Sequence, residues 1–68
     1  MLEQYPVMLT VVEVAEILRK STKSVYEMVR LGKLPGVVHV GRRVLVRRDR
    51  LVELLREESS VPSLGGVA

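Results

Sequence analysis

Thr10-Val11-Val12-Glu13-Val14-Ala15-Glu16-Ile17-Leu18-Arg19-Lys20-Ser21-Thr22-Lys23-Ser24-Val25-Tyr26-Glu27-Met28-Val29-Arg30-Leu31-Gly32 is the stretch that decides the fold. It opens on a capping box, in which the Thr10 hydroxyl takes an amide of the first turn and Glu13 reaches back. Val11, Val14, Ala15 and Leu18 then recur at helical spacing, and Ile17 widens the stripe, so the pattern predicts a helix over about residues 11–19. Lys20-Ser21 breaks it. Ser21 is a good N-cap for a second helix over about residues 22–31, with Val25, Met28 and Val29 as its apolar stripe and Gly32 as its stop. Lys23, Ser24, Tyr26, Glu27 and Arg30 fall mostly outside that stripe. Two short helices joined by about three residues form a helix-turn-helix, whose second helix usually enters a major groove, although an ordinary αα-hairpin has the same pattern.

Downstream, Pro35-Gly36 punctuates the chain before Val37-Val38-His39-Val40, Gly41-Arg42-Arg43 and Val44-Leu45-Val46-Arg47. Strand alternation suggests a hairpin that pairs Val40 with Val44 and Val38 with Val46, with Gly41-Arg42-Arg43 as a three-residue tip. All four valines then share the face toward the helices, and His39, Leu45 and Arg47 share the other. Glycine stands first in that loop, whereas three-residue loops prefer it last. A two-stranded ribbon is marginal alone, so its valine face should lie on the helices. Leu51, Val52, Leu54 and Leu55 mark a third helix to about Glu57, with Asp49 favouring its N-terminal dipole. The expected organisation is a lead-in over 1–9, a domain over 10–58 and a flexible tail over 59–68. Tyr5-Pro6 disfavours helix in the lead-in, and the tail has a frayed composition.

Sixty-eight residues leave room for one core only, worth about 3–5 kcal/mol of net stability in a chain this short. With no Cys and one His, neither disulfides nor a thiolate metal site can hold it, so aliphatic packing must. No apolar run reaches 18 residues and Met1–Gln4 lacks a basic n-region, so we expect no membrane span, no signal peptide and a soluble cytoplasmic protein, nucleoid-associated when bound to DNA.

Net charge is +3, but its distribution is uneven. Ten Lys or Arg (19, 20, 23, 30, 33, 42, 43, 47, 48, 50) face two acids, Glu27 and Asp49, between Arg19 and Arg50. The flanks hold one base, Arg56, and six acids. A basic centre between acidic flanks is the footprint of a nucleic-acid binder, because each neutralised phosphate releases condensed counterions. The competing reading is a solvated basic surface, with Arg42 and Arg43 keeping a hairpin tip soluble.

Catalysis would need a positioned nucleophile, paired carboxylates in a cleft or metal ligands. Asp49 and Glu53 are four apart on a helix, the spacing of a solvated surface pair. His39 reads as an exposed strand residue, and no glycine-rich phosphate loop is present. We therefore expect no enzyme, no catalytic residues, no cofactor and no metal.

Thr10 to Leu18, Ser21-x-x-Ser24-Val25-Tyr26, Arg30-x-Gly32-x-Leu34-Pro35, Val40-Gly41-Arg42-Arg43 and Val46-Arg47-Arg48-Asp49-Arg50-Leu51 together resemble the excisionase-type helix-turn-helix family, which is related to the DNA-binding part of MerR-type regulators. The resemblance covers about residues 9–55. It implies a winged helix-turn-helix, mainly α with a β-hairpin, in the order helix–helix–β-hairpin wing–helix. Ser21, Thr22, Lys23 and Ser24 would lie at the DNA-facing start of the recognition helix. Tyr26 and Arg30 would be further contacts on it, and Arg42 and Arg43 the wing tip. Three positions depart from the family's pattern: Lys20 where an aliphatic residue is usual, Val12 where an acid is common, and Arg47 in place of a frequent Pro. The stem of Lys20 would pack while its charge reaches out, and the extra charge of Arg47 would extend the DNA surface.

The expected function is sequence-specific binding of double-stranded DNA, as a recombination directionality factor or a small transcriptional regulator. An integrase or recombinase, or further copies bound side by side, would be its protein partners. The rival is an adaptor that docks an integrase or polymerase through its helical surface. RNA is a weaker match, since stacking platforms need aromatics and the chain has two tyrosines.

Overall fold

In a computed structural model, which describes residues 1–60, the chain runs β1 (Met8–Thr10), α1 (Val11–Leu18), α2 (Thr22–Arg30), β2 (Val37–Val40), β3 (Arg43–Arg47) and α3 (Arg48–Ser60). This is the winged helix-turn-helix order, with one strand more than the hairpin. The three strands form an antiparallel sheet in the order β1-β3-β2.

Both predicted caps form. The Thr10 hydroxyl accepts from the Glu13 amide at 3.2 Å, while the Glu13 carboxylate accepts from the Thr10 amide at 2.9 Å. Ser21 Oγ accepts from the Ser24 amide at 3.1 Å. At the C-terminus of α2 the Gly32 amide donates to the Val29 carbonyl and the Lys33 amide to the Met28 carbonyl, a Schellman arrangement. The same pair of bonds ends α1, from Arg19 to Glu16 and from Lys20 to Ala15, but the left-handed residue there is Arg19 (φ 58°, ψ 43°). Arg19 lies beyond the helix that the sequence pattern extends over it.

One core joins every layer: Leu9 from β1, Val11, Val14 and Ala15 from α1, Val25 from α2, Leu34 from the connection, Val46 from β3 and Leu51 from α3. It is aliphatic throughout, and among the described residues no polar or charged side chain is buried. The segment before Thr10, read from the sequence as a lead-in, contributes β1. Three residues are too few to show alternation, which is why periodicity misses it. α3 follows β3 without a loop. Its first amide, of Arg48, donates to the Val7 carbonyl at 2.8 Å, and the Arg48 guanidinium donates to the Tyr5 carbonyl. The backbone of Ser59 and Ser60 completes the last turn of α3; the rest of the expected tail, 61–68, lies outside the described residues.

The hairpin register differs from the expected one. Val37 pairs with Val46, Val38 with Leu45, His39 with Val44 and Val40 with Arg43, so the loop is the two residues Gly41-Arg42. Gly41 has φ +60° and Arg42 does not share a positive φ, the pattern of a type II′ hairpin turn with glycine first. The one-residue change moves side chains between faces. Val37, Val44 and Val46 face the core with Leu9, whereas Val38, Val40 and Leu45 lie on the outer face with Arg43 and Arg47. His39 shares the inner face, beyond the edge of the core, and is exposed. The glycine that does not suit a three-residue loop is the better guide than the parity of the valines.

Candidate nucleic-acid interface

All nine candidate contacts, Ser21, Thr22, Lys23, Ser24, Tyr26, Arg30, Arg42, Arg43 and Arg47, are exposed. Their environments are not alike. At the start of α2, Ser21 Oγ donates to Ser24 Oγ at 3.1 Å while it caps the helix, so this hydroxyl already has a structural task. Among the described residues the Thr22 and Lys23 side chains have no hydrogen-bonding or ion-pair partner, and both are exposed in the first turn. At 100° per residue Lys23, Glu27 and Arg30 fall opposite buried Val25, with Tyr26 on their flank. Arg30 is not free on that face: its guanidinium grips both Glu27 carboxylate oxygens, the Nε bond measuring 3.3 Å.

The wing tip holds Arg42 in the turn and Arg43 opposite Val40. Arg47 is on the same sheet face as Arg43 but at the other end of β3, roughly 13 Å along the strand. It is paired with Asp49 at 2.9 Å. The structure therefore groups Arg42 and Arg43 and sets Arg47 apart from them.

The ten central cations differ in their partners. Arg30, Arg47 and Arg50 form ion pairs with Glu27, Asp49 and Glu53, and Arg48 is held by the Tyr5 carbonyl. Among the described residues, Arg19, Lys20, Lys23, Lys33, Arg42 and Arg43 make no ion pair. Five of these six flank the start of α2 or form the wing tip. The ion pairs themselves are exposed and worth little, so an incoming phosphate can replace the carboxylate of each.

Two further cations, Arg19 and Lys20, join this surface, and sequence reasoning does not place them in the contact set. Periodicity runs the first helix over Arg19, and Lys20 is expected to pack its stem while its charge reaches out. Both residues are exposed in the turn immediately before α2. The departure at Lys20 from an aliphatic turn position is the signal that could have found them.

Among the described residues no group of three or more His, Asp or Glu could hold a metal ion, and no helix is long and apolar enough to cross a membrane. An open pocket near the end of α2 is lined by Lys33, Leu34, Arg50, Glu53, Leu54 and Glu57, with its charges of opposite sign intermixed.

Comparison with curated proteins and with solved structures gave no significant match. Residues 8–59 match a family model described as a helix-turn-helix domain, and this match spans all six elements, from β1 to the penultimate residue of α3. The chain belongs to that family, the excisionase-type helix-turn-helix, and is a DNA-binding helix-turn-helix protein.

Proposed function

We propose that the protein reads specific sites on duplex DNA, with the start of α2 in the major groove and the Gly41-Arg42 wing on the backbone or the adjacent minor groove. The observation that carries this reading is the placing of the cations: of the six that make no ion pair among the described residues, five lie in the turn, at the start of α2 or at the wing tip. Lys23 and Ser24 present donors and acceptors to base edges, which differ for all four base pairs in the major groove. Tyr26 and Arg30 lie one and two turns deeper along α2 and meet phosphate or sugar. Arg42 and Arg43 meet the backbone or a minor groove whose width varies with A·T content. Arg47 extends the cationic surface once a phosphate displaces Asp49.

In a cell such a protein serves as a recombination directionality factor or a small transcriptional regulator, without catalysis or cofactor, in the cytoplasm on DNA. An integrase or further copies on adjacent sites are the partners consistent with either role. The adaptor reading has one observation in its favour: Val38, Val40 and Leu45 form an apolar outer sheet face that does not pack on the core.

Selection from random duplex DNA tests the proposal. A recovered motif supports it, and no enrichment over input counts against it. A Lys23→Ala/Arg42→Ala/Arg43→Ala variant separates the readings, because a DNA reader loses its selected site while an adaptor keeps its protein partner.

A further inference from the structure

The turn between α1 and α2 carries a residue type that its backbone does not favour. Arg19 adopts the left-handed conformation, where Cβ crowds the following carbonyl oxygen. The C-terminal cap of α1 needs that conformation but uses only backbone groups: the amides of Arg19 and Lys20 and the carbonyls of Glu16 and Ala15. The Arg19 side chain takes no part in that cap. It is exposed and, among the described residues, has no partner; the same holds for Lys20. Glu16, one turn back on α1, pairs with neither. From Arg19 to Lys23 there are three cations and no acid.

We infer that Arg19 and Lys20 are a phosphate clamp, gripping the backbone at the lip of the groove that α2 enters. The inference rests on the DNA-binding reading above and adds two residues to it. In a helix-turn-helix the first helix crosses the DNA backbone and the second lies in the groove, so the turn between them passes the phosphate wall. Long cationic side chains at that point reach phosphate oxygens, which fix register without carrying sequence information. A residue that strains the fold and offers only an exposed charge is best explained by what that charge meets.

The test measures thermal unfolding and DNA affinity at several salt concentrations, on a selected site and on scrambled DNA, for Arg19→Gly, Arg19→Lys and Lys20→Ala. Relief of the left-handed strain should raise the Tm of Arg19→Gly by about 4 °C. The same variant should bind both DNAs roughly 5- to 10-fold more weakly near 0.1 M salt, with the log–log salt slope shallower by about one unit. Lys20→Ala should lose affinity similarly without the gain in Tm. Arg19→Lys keeps charge and strain, and should match the wild type in Tm and within about twofold in affinity. Wild-type affinity and slope in both Arg19→Gly and Lys20→Ala would overturn the clamp while leaving DNA binding intact. So would an Arg19→Lys variant as weak as Arg19→Gly, or a loss confined to the selected site. Absence of wild-type binding to either DNA would overturn the DNA-binding reading and the clamp together.

Discussion

Leu9 and Val46 stand directly opposite each other in the β1–β3 pair, and both are completely buried. This contact ties the segment before the helix-turn-helix to the inner face of the wing. Leu9→Ala should cost about 2–5 kcal/mol, most of the stability available to a chain this small. Its Tm should fall by at least roughly 10 °C. Val7→Ala, at an exposed neighbouring site, should change stability by less than about 0.5 kcal/mol. Equal effects in circular-dichroism melts would contradict the burial of β1.

Val14 and Val25 are both completely buried at the junction of α1 and α2. An unpaired carboxylate there is costly enough to exceed the net stability. Val14→Asp and Val25→Asp should each abolish cooperative thermal unfolding. A sharp transition retained by both would mean that the helix faces are wrong.

Gly36 approaches α3 closely: a Cβ there would lie 2.6 Å from Arg50 Cβ, at a residue with φ +76°. Gly41 is also left-handed, but a Cβ there meets open space. Gly36→Ala should therefore cost about 2–4 kcal/mol, from strain and overlap together, and Gly41→Ala about 1 kcal/mol from strain alone. Chemical denaturation of the two variants gives the ranking, and the reverse order would contradict the packing of α3 on the turn.

The helices are legible in the sequence because their signals are local. The capping box at Thr10-Glu13, the Ser21 cap and the stripes ending at Leu18 and Val29 need no knowledge of distant residues. The hairpin is only half legible. Valines at 37, 38, 40, 44 and 46 fit either register, and the deciding facts are the turn geometry of Gly41 and the partner Leu9 across from Val46. Strand β1 is hidden because its pairing lies more than thirty residues away in sequence. The candidate contacts all lie at the surface, the ordinary place of the Ser, Thr, Lys and Arg among them, and only for Tyr26 is exposure not set by residue type. Of the engaged cations, Arg30, Arg47 and Arg50 pair with acids only two or three residues away, spacings visible in the sequence, whereas the Arg48–Tyr5 contact joins residues 43 apart and is not.

The recognition helix and the wing should differ in what their removal does. Lys23→Ala/Ser24→Ala leaves the Ser21 cap in place, because the Ser24 amide that it holds belongs to the backbone. That variant should flatten preference between a selected and a scrambled site, by roughly 1–3 kcal/mol for each good hydrogen-bonded base pair that it no longer reads. Arg42→Ala/Arg43→Ala should weaken binding to both DNAs and make the salt slope shallower by about one to two units. Competition binding at two salt concentrations distinguishes them, and a failure to discriminate in the wing variant alone would reverse the assignment.

The salt dependence of wild-type affinity for duplex DNA tests the central claim most directly. If roughly four to six cations of the basic centre meet phosphates, the plot of log affinity against log salt concentration should have a slope of about −4 to −5. A slope near zero, even with measurable binding, would contradict the account.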